Sequence, residues 1–166
     1  MSTFVSVGNA IQPFGRLITA VAERKQQLPT PLVIQHGHTP LPLSTEYTAV
    51  SFMNMDDFSN QMISADLLIL HAGAGSLIHA VRAGKVPVVM PRRAVYGEHI
   101  DDHQLDLSRA LEREQRIVVV SEPEGLIDAI TQAISLQRQH RVRSKQMPEM
   151  VKQVSNLFDA FWAKDK

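Results

Sequence analysis

The segment with the clearest chemical potential is a loop of small residues that follows an apolar run. Leu67–Leu70 leads directly into the sequence His71-Ala72-Gly73-Ala74-Gly75-Ser76. Glycine lets a backbone approach a ligand closely, and a helix beginning near Ser76 would present unpaired N–H groups and a partial positive charge. The Ser76 hydroxyl either caps that helix or bonds a phosphate oxygen. The pattern predicts a phosphate-binding loop, although a tight strand-to-helix turn without a ligand explains the same residues.

Two familiar phosphate-binding classes are excluded or disfavoured by the residues around this loop. No Gly-Lys-Ser/Thr follows it, so it is not a Walker loop, and its glycines lack the spacing of a dinucleotide fingerprint. The first predicted strand also lacks a Gly-x-Gly-x-x-Gly turn. A nicotinamide-dependent oxidoreductase is therefore a weak interpretation.

Histidines near predicted strand ends invite a metal interpretation. They are His36, His38, His71, His79, His99 and His103. However, no compact His-x-x-x-His pair lies on a well-defined predicted helix beside a carboxylate. The chain contains no cysteine, which excludes disulfides, thiolate metal sites and cysteine nucleophiles. We therefore expect no metal site.

The loop belongs to an alternation of strand and helix patterns. The predicted strands are Thr3–Val7, Leu32–Gln35, Tyr47–Phe52, Leu67–Leu70, Val86–Met90 and Ile117–Val120. The predicted helices are Phe14–Gln26, Asp56–Ser64, Ser76–Ala83, Asp102–Glu114 and Glu124–Gln137. Several strands are continuous apolar runs, which is typical of strands buried on both faces. The alternation predicts an α/β fold with a doubly wound, Rossmann-like parallel sheet, whose ligands bind at the carboxyl ends of the strands.

A change in composition divides the chain after residue 137. We predict a Rossmann-like domain over residues 1–137 and a second segment, 138–166, which begins with a basic stretch. Beyond this stretch an apolar stripe has helical spacing, so we predict a terminal amphipathic helix. The residues of the stripe are Met150, Val154, Leu157, Phe158 and Phe161. The stripe either packs on the chain's own sheet or docks on a partner.

Composition narrows the functional classes further. The 166 residues hold 17 basic and 17 acidic side chains, and the zero net charge argues against a nucleic-acid partner. A 44% apolar and 20% charged composition is typical of a folded globular chain. The chain has no signal-peptide pattern and no apolar run near the ~20 residues that span a bilayer. These features predict a soluble, cytoplasmic protein.

Three motifs together resemble the donor-binding C-terminal half of family 28 glycosyltransferases. They are the loop from His71 to Ser76, Ala83-Gly84-Lys85-Val86-Pro87 and Asp102-His103-Gln104. Val7-Gly8 and Pro13–Ile18 are similar to the family's opening strand and helix, so the resemblance covers about residues 3–137. The chain resembles single-domain members of two-subunit enzymes. These are the catalytic subunit of the dolichol-linked GlcNAc transferase and the PssE-like group, which Met90–His99 resembles best.

The resemblance implies one half of a GT-B enzyme, in which two Rossmann-like domains face each other across a cleft. We expect the donor-binding catalytic subunit of an inverting transferase that moves a sugar from a UDP-sugar to a lipid-linked saccharide acceptor, in exopolysaccharide synthesis. No metal or other cofactor is implied. A membrane-anchored acceptor-binding subunit would carry the catalytic base and recruit this chain to the cytoplasmic face of the membrane. The alternative is a non-catalytic subunit that stabilises or enhances a partner glycosyltransferase.

The same resemblance assigns roles to individual residues. The donor diphosphate would be bound by Gly8, Asn9, His71, Gly73, Ala74, Gly75 and Ser76. The donor sugar would be bound by Asp102, His103 and Gln104, and the nucleotide base would contact Met53. Asp102 is equally compatible with a helix N-cap.

Two positions depart from the family or leave alternatives open. His79 stands at the ribose position, where many relatives have glutamate, and a neutral imidazole offers one acceptor instead of a bidentate carboxylate. Arg92 and Arg93 either meet a donor or lipid diphosphate or belong to a solvated loop.

Overall fold

The computed structural model describes residues 1–100 and 103–143. In these ranges a single parallel sheet has the order β3-β2-β1-β4-β5-β6. The strands are β1 (Thr3–Ser6), β2 (Leu32–Gln35), β3 (Thr48–Val50), β4 (Leu67–His71), β5 (Val88–Met90) and β6 (Val118–Val119). This order confirms the predicted doubly wound, Rossmann-like sheet. The direction of strand order reverses between β1 and β4, so the crevice beyond their carboxyl ends is where such folds bind ligands.

Five α-helices accompany the sheet within the described ranges. They are α1 (Gly15–Glu23), α2 (Met55–Ser64), α3 (Ala74–Arg82), α4 (His103–Arg113) and α5 (Leu126–Arg143). Every predicted helix from α1 to α5 is present, with ends that differ by a few residues. The connection between β2 and β3 contains no helix. An irregular segment with a turn at Gly37 and His38 therefore makes this connection, where a crossover helix is common.

The continuous apolar strands are explained by burial on both faces. Val5, Ile34 and Ile69 face the layer of α1 and α5, and each is fully buried. The neighbouring residues Phe4 and Leu68 face the opposite layer, where α2 and α3 pack. Both layers therefore hold the strand ends of β1 and β4 in fixed register, which positions the loops that follow them.

The C-terminal part of the chain is described only as far as Arg143. Helix α5 continues through residue 137 and so crosses the predicted division of the chain. The predicted amphipathic helix, with its stripe from Met150 to Phe161, lies outside the described residues. No helix in residues 1–100 or 103–143 is long and apolar enough to cross a membrane.

Candidate functional site

One imidazole ring, that of His71 at the end of β4, lies between the loops that follow β1 and β4. After β1 the chain turns at Gly8, which has a φ of +73°, and after β4 it passes from His71 to Gly73. A Cβ atom added at Gly8 would lie 2.5 Å from His71 Nε2, and one added at Gly73 would lie 2.2 Å from it. Both glycines are therefore needed for the two loops to close around this ring.

The His71 ring is neutral at pH 7. Burial is the largest cause that lowers its pKa, and the nearby positive charge of Arg92 lowers it further, to about 4. Its Nδ1 atom lies 3.4 Å from the carbonyl oxygen of Ser6, at the end of β1. His71 therefore packs as an uncharged side chain between the two loops that were predicted to hold a diphosphate.

The N-terminus of α3 points its free amides into the same crevice. Gly73 is the N-cap and has no side-chain hydrogen bond there, and the amide of Leu77 donates to the Gly73 carbonyl at 3.0 Å. The amides of Ala74, Gly75 and Ser76 precede that bond and have no partner within the helix, which is the arrangement that binds anions. The capping role for Ser76 is wrong, because α3 begins two residues before it.

A cavity of about 160 Å³ lies beside this helix N-terminus. Its residues come from the loop after β1, the end of β2, the segment between β3 and α2, and helices α2 and α3. The lining residues are Asn9, Gln35, Met53, Asn54, Met55, Phe58, Gly75, Ser76 and His79. Five of them were predicted from the sequence as donor-binding residues: Asn9, Met53, Gly75, Ser76 and His79. The structure therefore brings together residues that are 70 positions apart in the chain.

Gln35 is a member of this site that the sequence analysis missed. It is 2% exposed, and its Nε2 donates to the carbonyl oxygens of Gly8 at 3.1 Å and Ser51 at 3.0 Å. Its Oε1 accepts from Ser6 Oγ at 2.6 Å, and Ser6 Oγ accepts from the amide of Gly8 at 3.2 Å. The amide of Gly8 is thus engaged within the domain, whereas the next residue, Asn9, is exposed. The sequence signal that could have identified Gln35 is a polar residue at the end of an otherwise apolar strand.

The other wall of the cavity is built on α2. Asn54 caps this helix by accepting from the amide of Asp57 at 2.8 Å. Phe58 contacts the ring of His79 edge-on, with centroids 6.1 Å apart. Burial lowers the pKa of His79, with a further contribution from the charge of Arg82. His79 therefore enters the cavity wall as a neutral imidazole beside an aromatic ring.

Arg92 has a different role from either one expected. It is 1% exposed, and its Nη1 donates to the carbonyl oxygens of Gln12 at 2.8 Å and Glu98 at 2.9 Å. Its Nη2 donates to the carbonyl oxygen of Val7 at 2.9 Å, and its guanidinium lies 4.6 Å from the centre of the Phe14 ring. Both expectations are wrong for this residue, because its guanidinium is buried against main-chain carbonyls and neither faces solvent nor is open to a ligand.

A largely buried ion pair ties helix α1 to two of the loops at this edge. Arg16 on α1 donates from Nε to Glu98 Oε1 at 3.1 Å and from Nη2 to Oε2 at 2.8 Å. Its Nη2 also donates to the carbonyl oxygen of Pro91 at 2.7 Å, and its Nη1 donates to that of Ser121. The Glu98 carboxylate accepts from the amide of Arg93 at 2.9 Å. Helix α1 and the loops after β5 and β6 are therefore joined through the guanidinium of Arg16.

The predicted sugar-binding residues are only partly covered by the structure. His103 and Gln104 are the first residues of α4, which follows the loop after β5. Their side chains and the whole of Asp102 lie outside the described part of the chain. Among the residues that are described, no three histidine or acidic side chains are grouped so that they could hold a metal ion.

Comparison with known proteins identifies the family. The sequence profile of the glycosyltransferase family 28 C-terminal domain matches residues 3–158. This chain belongs to that family. It is 27% identical over 161 residues to the UDP-N-acetylglucosamine transferase subunit ALG13 of Yarrowia lipolytica, covering 90% of this chain and 79% of that one. It is 34% identical over 87 residues to the human protein of the same description, covering 50% of this chain and 7% of the human one.

Solved structures of other glycosyltransferases show the same fold. The glycosyltransferase of kitacinnamycin superposes with a TM-score of 0.63 at 18% identity, over 93% of this chain and 37% of that one. MurG of Acinetobacter baumannii superposes with a TM-score of 0.57 at 18% identity, over 95% of this chain and 49% of MurG. The chain spans less than half of either protein. Its fold is that of one Rossmann-like half of a GT-B glycosyltransferase.

Proposed function

We propose that this chain is the UDP-sugar-binding, catalytic subunit of a two-subunit inverting glycosyltransferase. The observation that carries the proposal is the cavity at the N-terminus of α3, where five residues predicted to bind the donor lie together. Its relatives in Yarrowia lipolytica and in humans are described as UDP-N-acetylglucosamine transferase subunits, which supports both the donor class and the role as a subunit.

The size of the cavity suggests how the donor lies. At about 160 Å³ it is smaller than the roughly 300–1,000 Å³ of sites that enclose a drug-sized ligand, so it fits part of the donor. We place the nucleoside there, with the base near Met53 and Phe58 and the ribose near His79. The diphosphate then lies over the first turn of α3, opposite Asn9. The sugar extends toward the start of α4, where Gln104 can bond its hydroxyls.

The free amides at the start of α3 supply the chemistry that this half can perform. An acceptor oxygen forms a bond to C1 of the sugar while the bond from C1 to the phosphate oxygen breaks, so the configuration inverts. The electron pair of the broken bond leaves with UDP, and the acceptor proton goes to a base on the partner subunit. The amides of Ala74, Gly75 and Ser76 stabilise the negative charge that develops on the leaving diphosphate.

The partner follows from what one half of a GT-B enzyme lacks. A single donor-binding half cannot order both reactants, and ordering supplies much of the barrier reduction in group transfer. We propose a membrane-anchored subunit that binds the lipid-linked saccharide acceptor and holds this chain at the cytoplasmic face of the membrane. Exopolysaccharide synthesis is the proposed setting. No metal or other cofactor is required by this scheme.

Titration of UDP against the purified chain, alone and with its partner, tests the donor site. Wild-type protein is expected to bind UDP saturably by calorimetry, and Gly75→Val is expected to abolish binding because its side chain fills the cavity beside the free amides. Gly15→Val is the matched control, because Gly15 also lies in the first turn of a helix and a Cβ there meets nothing within 4 Å. Unchanged affinity in a folded Gly75→Val protein would refute the assignment.

One observation favours a second function, a non-catalytic subunit that stabilises its partner. His79 stands where many relatives have a glutamate, and its neutral ring offers the ribose a single acceptor. In that case neither the chain nor its complex binds UDP through this cavity. Transferase activity of the complex would then survive Gly75→Val, whereas the first function predicts that this activity is lost.

A further inference from the structure

A single buried guanidinium holds both ends of the loop after β1. The loop runs from Gly8 to Ile11, and the carbonyl oxygens that flank it, those of Val7 and Gln12, both accept from Arg92. A third bond from the same side chain reaches the carbonyl oxygen of Glu98, in the loop after β5. The loops after β1 and β5 are thus fixed to each other through one side chain.

The charge of this guanidinium is shielded from water. Arg92 is 1% exposed, and the ring of Phe14 packs against it. Its charge also acts on the imidazole of His71, which lies between Gly8 and Gly73, and after burial it is the largest cause of that ring's lowered pKa. The positive potential of Arg92 therefore reaches the point where the two loops meet.

We propose that Arg92 is a positioning residue for the donor diphosphate. It fixes the Gly8–Ile11 loop and places a permanent positive charge behind it, without touching the nucleotide. This inference rests on the proposed donor site. A charge held in a region of low dielectric acts over a longer range than one in water, and it needs no reorganisation when negative charge develops on the leaving group.

The geometry requires arginine at this position. The bonds to the carbonyls of Gln12, Glu98 and Val7 start from two different nitrogens of a planar guanidinium, Nη1 and Nη2. A lysine ammonium is a compact charge on a single nitrogen. Arg92→Lys therefore keeps the charge and loses part of the attachment, and Arg92→Met loses both. Comparison of the two variants separates the contribution of charge from that of attachment.

The decisive measurement is the affinity for a charged and for an uncharged form of the same nucleoside. UDP binding is measured by calorimetry and uridine binding by ligand-observed NMR, for wild type, Arg92→Lys and Arg92→Met. We expect Arg92→Met to weaken UDP binding by about tenfold or more, which corresponds to one unit charge acting on another over about 12 Å at an effective dielectric near 20. Uridine binding should change less than twofold, and Arg92→Lys should fall between wild type and Arg92→Met for UDP.

A matched control removes a positive charge near the amino ends of β1 and β4, at the opposite end of the strands from the site. Arg138 is an exposed residue of α5 and lies beside Met1 and Asp66. Arg138→Met changes the net charge by the same amount and should leave both affinities at wild-type values. Equal losses with Arg92→Met and Arg138→Met would mean that only the overall charge matters, and would overturn the role of Arg92.

The remaining outcomes distinguish this inference from the proposed function. If Gly75→Val loses UDP binding while folded Arg92→Met keeps it, the donor site stands and the role of Arg92 is wrong. Equal losses of UDP and uridine affinity in Arg92→Met would also overturn the role, because they indicate a structural effect alone. If Arg92→Met does not fold, Arg92→Lys decides the question. Wild-type UDP affinity in Arg92→Lys would show that the attachment of the Gly8–Ile11 loop by Arg92 does not contribute to donor binding. Absence of UDP binding in wild type would overturn both proposals.

Discussion

The fit of His71 between two glycines makes Gly73→Ala a sharp test of the site's architecture. The backbone of Gly73 has φ −69° and ψ 130°, a conformation that alanine adopts readily. Any cost of the substitution must therefore come from the new Cβ, which would lie 2.2 Å from His71 Nε2. The ring cannot move away toward the other loop, because Gly8 lies against the same edge of it.

The expected magnitude follows from two opposing contributions. Forcing a methyl group into a packed site costs about 1–3 kcal/mol. Replacing glycine by alanine at a compatible backbone position stabilises by about 0.4–1 kcal/mol through the unfolded chain. We therefore expect Gly73→Ala to destabilise wild type by about 1–2 kcal/mol, or roughly 2–8 °C in Tm for a chain of this size. In a His71→Ala background the obstacle is gone, and the same substitution should become neutral or stabilising.

Urea unfolding of the four proteins of this cycle measures the coupling between the two residues. Gly84→Ala is the control for backbone strain, because Gly84 has a φ of +70° but no atom within 4 Å of a Cβ. Gly84→Ala should change the free energy of unfolding by the same amount in wild type and in His71→Ala. A coupling free energy between Gly73→Ala and His71→Ala of at least about 1 kcal/mol is expected. If Gly73→Ala costs the same with and without the imidazole, the described packing of His71 is wrong.

Two further predictions concern stability. Because the pKa of His71 falls from 6.5 to about 4 on folding, the contribution of its neutral ring to the free energy of unfolding is complete above pH 6.5 and is lost as the pH falls toward 4. Acidification from pH 7 to pH 5 should therefore lower the free energy of unfolding of wild type by about 2 kcal/mol more than that of His71→Asn. Parallel pH profiles in urea unfolding would contradict this. Glu98→Gln should lower the free energy of unfolding by about 3 kcal/mol, because it leaves the largely buried guanidinium of Arg16 without its carboxylate. The control Glu46→Gln breaks the more exposed pair with Lys25 and should lower it by less than about 1 kcal/mol. Equal shifts in Tm would show that the Arg16–Glu98 pair is not effectively buried.

Local patterns were enough to predict the fold and part of the site. The apolar runs and their punctuation give each strand and helix up to α5, because burial on both faces leaves a continuous pattern in β1 and β4. The small residues from Gly73 to Ser76 mark the helix N-terminus even though α3 begins at Ala74. The offset arises because a glycine N-cap carries no side-chain signal, whereas Ser76 resembles a cap.

Long-range polar contacts could not be predicted in the same way. Arg92 and Glu98 are charged residues in a proline- and glycine-containing loop, and local sequence cannot distinguish a solvated charge from one bonded across 85 positions to Val7. The same is true of Gln35, whose importance depends on strand order: β2 lies beside β1 only because of the parallel topology. The sugar-binding role of Gln104 rests on family resemblance and stays a prediction.

The contacts of Arg16 have a consequence for engineering and for the evolution of donor specificity. Since this one side chain bonds Glu98, Pro91 and Ser121, the loops after β5 and β6 are not independent modules. A segment grafted from a relative in place of residues 91–100, without a carboxylate to match Glu98, would leave Arg16 of α1 without its ion-pair partner. Changes in sugar preference at this edge are therefore expected to arise through coordinated replacement of α1 and both loops, and single-loop chimaeras should fold poorly.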